Sequence, residues 1–156
     1  MSTVVGNCIP LERLKELVTD SVAANKQLIA VLLTLLDESE EVRAWASDVL
    51  SNVEEPSSNW APQLAELTRH VSAPVAGWSC KLLGRLGDDA TRYQAWLSQA
   101  LSGHAEKSVR QLAALAMKSI PNLSKESIVA LKVAASDADP RLSRLAAEAL
   151  SAQNEA

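Results

Sequence analysis

The segment Glu40–Val53 reads EEVRAWASDVLSNV, and apolar residues recur in it at Val42, Ala46, Val49, Leu50 and Val53. At about 100° per residue these positions share one face of an α-helix. The pattern returns in SAPVAGWSCKLLGRL from Ser72, KSVRQLAALAMKSI from Lys107 and DPRLSRLAAEAL from Asp139. The first apolar anchors, Val42, Val75, Val109 and Leu142, are separated by 33, 34 and 33 residues. Four residues after each anchor stands a small residue (Ala46, Ser79, Ala113, Ala146). Eight residues after it stands a large apolar one (Leu50, Leu83, Met117, Leu150). One face kept in register four times marks an internal repeat.

A second amphipathic stretch precedes each segment: KQLIAVLLTLL from Lys26, NWAPQLAELTRHV from Asn59, TRYQAWLSQAL from Thr91 and KESIVALKVAA from Lys125. Each repeat therefore reads as a helical hairpin, helix A then helix B, over about residues 26–55, 57–88, 90–121 and 123–152. Ser39, Ser58 or Asn59, Asp89 and Ser124 are expected helix caps. Pro62, Pro74 and Pro140 sit at or near helix starts, where a missing N–H costs nothing, and Pro121 ends a helix. Residues 10–24 predict one further amphipathic helix, a cap or a remnant of an earlier repeat. A hairpin cannot bury its apolar face alone, so the repeats must stack on one another in a single domain spanning residues 1–156. Val4, Val5 and Ile9 are expected to pack under the first helix or against a second copy. The polar tail SAQNEA suits an end cap.

Composition agrees with an all-α chain. Ala and Leu supply 48 of 156 residues, Gly only 5 and Pro 6, and Phe is absent. A β-sandwich or barrel needs turn glycines and aromatic or β-branched strands that this chain lacks. The longest apolar run, LIAVLLTLL at 28–36, is far short of the ~20 residues that span a bilayer. No basic stretch followed by an apolar one opens the chain, so no secretory leader is expected. Cys8 and Cys80 are isolated, with no zinc or redox spacing; two reduced thiols in the cytoplasm are expected.

The hairpin pattern resembles the HEAT-repeat family. The resemblance rests on LLDESEEVRAWASDVL at 35–50, SVRQLAALAM at 108–117 and SDADPRLSRLAAEAL at 136–150, which look like the end of helix A, the turn, the "VR" pair and the Ala-rich helix B. The second repeat departs from it, with Ala76 where Arg43 and Arg110 stand. The resemblance covers about residues 26–152. It implies a right-handed α-solenoid of about four hairpins plus the N-terminal helix. It also implies that the turn Asp bonds across to the Arg after the anchor, giving Asp37 and Arg43 structural roles, and that B helices line a concave groove.

Five residues before each anchor come Asp37, His70, His104 and Asp137. A metal reading fails on geometry, because stacked repeats stand about one helix diameter apart, ~10 Å, while zinc ligands lie ~2 Å from the metal. These side chains are expected to cap helix B or to accept from turn N–H groups. Trp45 and Trp78 share the position three after the anchor, at the edge of the buried arc. With Phe absent they are expected to fill packing seams, with an indole edge left for a partner. Small residues at Ser47, Cys80, Ala114 and Ala147 would let neighbouring B helices approach closely. From the opposite face of helix B project Arg43, Asp48, Lys81, Arg85, Arg110, Lys118 and Arg144.

Net charge is −4, distributed unevenly. Residues 1–58 hold four Lys/Arg against ten Asp/Glu, and residues 59–156 hold eleven against nine. The groove is positive from the second repeat onward and suits an acidic protein segment. The candidate partner-binding residues are Arg43, Trp45, Asp48, Trp78, Lys81, Arg85, Arg110, Lys118 and Arg144. The expected function is a non-catalytic interaction module, monomeric, with no cofactor, no metal and no membrane. A nucleic-acid-acting protein similar to the DNA glycosylases built on this repeat ranks lower, because that class needs a strongly basic groove with stacking aromatics. A bilin-lyase-like or immunity role is a further alternative. No nucleophile elbow, phosphate loop or HExxH motif occurs, and a pairing of Cys80 with His70 or His104 is weaker than a buried, inert thiol.

Overall fold

The computed structural model describes residues 8–155, and every regular element among them is helical. None of these helices is long and apolar enough to cross a membrane. The chain divides into two compact units, residues 1–60 and 61–156.

The first unit contains α1 (Leu11–Leu17), α2 (Ser21–Lys26), α3 (Leu28–Leu33), a 3-10 turn (Thr34–Leu36), α4 (Glu40–Asn52) and a second 3-10 turn (Ser58–Trp60). The single helix expected over 10–24 is two. Asp20 breaks it, its carboxylate accepting from the Ala23 N–H at 3.1 Å and so opening α2. Helices α1, α2 and α3 all pack on α4 around Leu14, Leu17, Leu28, Leu32, Val49 and Leu50. Ser39 caps α4 by accepting from the Val42 N–H, and Glu40 and Glu41 sit in the first turn against the positive dipole end. Ser58 and Asn59 do not open a long helix; they lie in the 3-10 turn. That turn is tied to α2 through Asn25. The Asn25 side chain accepts from the Ser57 N–H (2.9 Å), and its carbonyl accepts from Trp60 Nε1 (2.6 Å). Ile9 is buried, its N–H donating to Thr34 Oγ1 at 2.9 Å. Val4 and Val5 lie outside the described residues.

The second unit contains α5 (Ala61–Leu67), α6 (Ala73–Leu86), a 3-10 stretch (Gly87–Tyr93), α7 (Gln94–Gly103), α8 (Lys107–Met117), α9 (Lys125–Ala135) and α10 (Pro140–Glu155). Consecutive helices pair as α5/α6, α7/α8 and α9/α10. The second members also pack on each other, α6 on α8 and α8 on α10, and α7 packs on α5 and α9. Ser72 and Ser124 cap α6 and α9 through the Val75 and Ser127 amides. Asp89 is no cap: it falls inside the 3-10 stretch, and α7 starts at Gln94 with no side-chain cap. Gly87, at φ +57°, terminates α6 in a conformation that other residues resist.

Helices α6 and α8 touch backbone to backbone. A Cβ at Gly84 would stand 2.9 Å from Ala116 Cα, and one at Gly77 would stand 2.8 Å from the Leu112 Cδ1 methyl. Contact order rises along both helices, Gly77 to Leu112 and Gly84 to Ala116, so they run parallel. Cys80 and Ala114 are fully buried at this seam, but Ala147, expected to serve the same close approach, is exposed, and Ser47 is half-buried.

Polar staples join successive hairpins. Gln94 Oε1 accepts from the Ser124 N–H (2.7 Å) and from Ser127 Oγ (2.8 Å). Gln153 accepts from the Leu123 N–H and donates to the Ile120 carbonyl. Gln111 Nε2 donates to Asp139 Oδ2 at 2.7 Å, while Asp139 also accepts from the N–H groups of Arg141 and Leu142.

Two outcomes check this packing. Gly84→Ala overfills a backbone contact and is expected to cost about 1–3 kcal/mol in urea unfolding. Gly103→Ala, with nothing within 4 Å of the new methyl, should be neutral or gain up to about 1 kcal/mol. Equal costs at the two positions would contradict the seam. The second outcome concerns acid. The Gln111 bond, with help from the capped amides and Lys107, holds the Asp139 carboxyl below its ordinary 3.8. A carboxyl lowered in the folded state stabilises above its unfolded pKa and loses that contribution as pH falls through the folded value. Asp139→Asn should therefore unfold more easily than wild type near pH 7, with the gap closing as the pH falls below the ordinary carboxylate range. A gap of constant size across that range would contradict the assignment.

Candidate protein-docking face

The four turn side chains behave alike. Asp37 Oδ1 accepts from the Ser39 N–H (2.8 Å), His70 Nδ1 from Ser72 (2.9 Å), His104 Nδ1 from Glu106 (3.0 Å) and Asp137 Oδ1 from Asp139 (2.9 Å). Each closes a local turn on the amide two residues on. A ring nitrogen that accepts carries no hydrogen, so the neutral imidazoles bear theirs on Nε2. His104 Nε2 donates to the His70 carbonyl at 2.9 Å, tying one turn to the next. Among the described residues no three His, Cys, Asp or Glu side chains group as metal ligands.

Arg43 and Arg110 join the same turns. Arg43 Nη1 donates to the carbonyls of Asp37 (2.7 Å) and Glu38 (3.0 Å), and Arg110 Nη1 to those of His104 (2.6 Å) and Ala105 (3.2 Å). This corrects the side-chain pairing implied by the family resemblance. The Asp37 carboxylate is occupied by its own turn, so the guanidinium meets main-chain oxygen instead. Ala76 lacks this bond, and Ser143 replaces it with a hydroxyl donated to Ala135 (2.6 Å).

All four tryptophans are half-buried, and three carry a cation on the ring. Lys15 of α1 lies 5.8 Å from the Trp45 centroid, and Arg69 lies 5.6 Å from that of Trp96. Trp78 carries two: Lys81 Nζ at 4.0 Å and Arg85 at 5.5 Å. The three residues are spaced i, i+3 and i+7 along α6, so both cations fall on the same helical face as the indole. Burial, then the neighbouring Arg85 charge, lowers the Lys81 ammonium pKa.

Further along, Lys118 at the end of α8 and Arg144 of α10 converge on Glu148, at 3.7 and 3.8 Å. With Ala147, Ser151 and Ala152 they line a shallow concavity. The structure therefore brings together Trp78, Lys81 and Arg85, and separately Lys118 and Arg144. Arg110 is drawn into its turn. Arg43, Trp45 and the exposed Asp48 belong to the first unit. Glu148 is the residue that sequence reasoning passed over. Its i,i+4 spacing from Arg144 was a usable signal, but its approach to Lys118, thirty positions away, was not.

The thiol and imidazoles form no catalytic pair. Cys80 is fully buried at the α6–α8 seam, and desolvation pushes its pKa up to about 12, so it stays protonated at neutral pH. His104 uses both ring nitrogens on main-chain groups, and His70 uses Nδ1. No protein-family model matches the chain, and no curated protein matches it.

Proposed function

We propose that this chain is a HEAT-like α-solenoid protein that serves as a non-catalytic, monomeric interaction module in the cytoplasm, docking an acidic segment of another protein on the B-helix face of its second unit. The observation that supports this most is the pair of cations gathered on Trp78 of α6. Half-buried Trp flanked by cations is the residue type that dominates protein–protein binding energy. The reading is reinforced by the parallel packing of α6 on α8, which sets their outward side chains in neighbouring rows. Charge favours an acidic protein over nucleic acid. The chain is net negative, and the Trp78 ring already carries the Lys81 and Arg85 cations.

Tagged wild type and the reversal variant Lys81, Arg85, Lys118 and Arg144 to Glu are compared in affinity capture from native lysate with quantitative mass spectrometry. Loss of an acidic protein from the variant's catch is expected. An unchanged catch contradicts the proposal, as does tight duplex-DNA binding with a salt slope near −0.9 per phosphate.

A further inference from the structure

We infer that a hollow between α5 and α7, on the side of the second unit formed by the first helices of its hairpins, takes the apolar C-terminus of a partner chain, with Arg69 holding the terminal carboxylate. This site is separate from the docking face of α6, α8 and α10, and either can exist without the other. The hollow encloses about 340 Å³ between the turn after α5 and the end of α7. Its lining is apolar at the nearly buried Ala100 and at Gly103 and Ala105. Val71 also lines it and is 88% exposed, the most exposed large apolar side chain among the described residues. Neither conformation nor packing calls for glycine at 103. Among the described residues Gly87 is the only glycine at positive φ, and a Cβ at Gly103 would meet nothing within 4 Å. Glycine weakens a helix relative to alanine. A larger side chain there would stand in the hollow, and glycine leaves it open.

Charge selects what enters. Arg69 lines the hollow with its guanidinium 5.6 Å from the centre of the Trp96 ring, and no carboxylate among the described residues lies within 4.0 Å of it. Carbonyls that would repel an anion here are already taken. Those of Glu66 and Leu67 accept from the N–H groups of Arg69 and His70, that of His70 from His104, and those of His104 and Ala105 from Arg110. The ring of Trp96 holds a planar fork that can take both oxygens of a carboxylate, and the exposed Gln99 amide supplies a further donor. Arg69 also borders a second hollow, but that one contains Glu66, which repels an anion, so the carboxylate goes to the Gln99 side. An open mouth favours a chain end over a free acid. A small-molecule pocket buries most of its ligand, whereas Arg69, Gln99, Gly103 and Ala105 are all exposed. A C-terminal residue carries its carboxylate and its side chain on one carbon, which suits a space this small, and the residue before it can cover Val71.

The test titrates the full, isotope-labelled chain by NMR at ~50 mM salt with a short peptide ending in two leucines and a free carboxylate. The same peptide amidated at its end and N-acetyl-leucine are the comparison probes. The free-acid peptide is expected to shift the Gly103 and Ala105 amides and the Gln99 side-chain amide in a saturable way. Amidation should weaken binding by about tenfold or more, as should Arg69→Gln, and Gln99→Glu should do the same by placing a carboxylate in the hollow. Gly103→Leu should abolish binding by filling the space. Val71→Ser should weaken the peptide by about threefold and leave N-acetyl-leucine unchanged. Circular dichroism melts confirm that each variant folds, and Gln99→Glu, at an exposed position, stands in for any that does not. Equal binding of the amidated peptide, or an unchanged affinity in Arg69→Gln, overturns the carboxylate seat. N-acetyl-leucine binding as tightly as the peptide overturns the chain end in favour of a free acid. Absence of saturable shifts, or shifts confined to α6 and α8, overturns the site while leaving the docking face intact.

Discussion

The close approach of α6 and α8 at Gly84 and Ala116 governs the second unit. Removing the side chain at one position lets the other helix's backbone come within van der Waals contact of it. That distance brings Cys80 and Ala114 into full burial and leaves no room for larger groups along the seam. It also fixes where everything else goes. Large apolar side chains such as Leu82, Leu83 and Met117 turn inward, and the long polar ones are displaced to the outward flank. Lys81, Arg85 and Lys118 therefore project from adjacent parallel helices instead of scattering.

The turns solve a different problem, the backbone groups left at helix ends. Asp and His serve interchangeably there, because each offers one acceptor atom at the same reach from the amide two residues on. Arg43 and Arg110 then cover the carbonyls of the turn. These commitments occupy the imidazoles: His70 Nδ1 and both ring nitrogens of His104 meet main-chain partners, and the His104–His70 bond links one turn to the next.

Much of this was legible in the sequence. The 33- to 34-residue period located α4, α6, α8 and α10, because burial against a neighbour imposes one apolar stripe per helix. The turn ladder was legible for the same reason, since its members recur at a fixed distance from the anchor. What escaped depends on tertiary placement. Asp20 splits the N-terminal helix because its carboxylate competes for the Ala23 amide, a choice that propensity leaves open. Asp89 looked like a cap but lies in a 3-10 stretch. Arg110 looked like a groove residue, although the Arg–turn link that Arg43 was expected to make applies to it equally. The Glu148 bridge to Lys118 spans a repeat and leaves no mark in local spacing. As a result, the basic row read from the sequence is uneven in the folded chain: Arg110 is drawn into its own turn, and Lys118 and Arg144 meet Glu148.

That unevenness follows only if α6 and α8 lie parallel and in the register seen at the seam. Methyl-resolved NMR tests this most directly. A strong nuclear Overhauser effect is expected between the Gly84 Hα protons and the Ala116 methyl, whose carbon lies 3.0 Å from where a Gly84 Cβ would stand, and another from the Gly77 Hα protons to the Leu112 methyls. Crossed pairs, Gly84 with Leu112 and Gly77 with Ala116, would place the helices antiparallel and contradict the account.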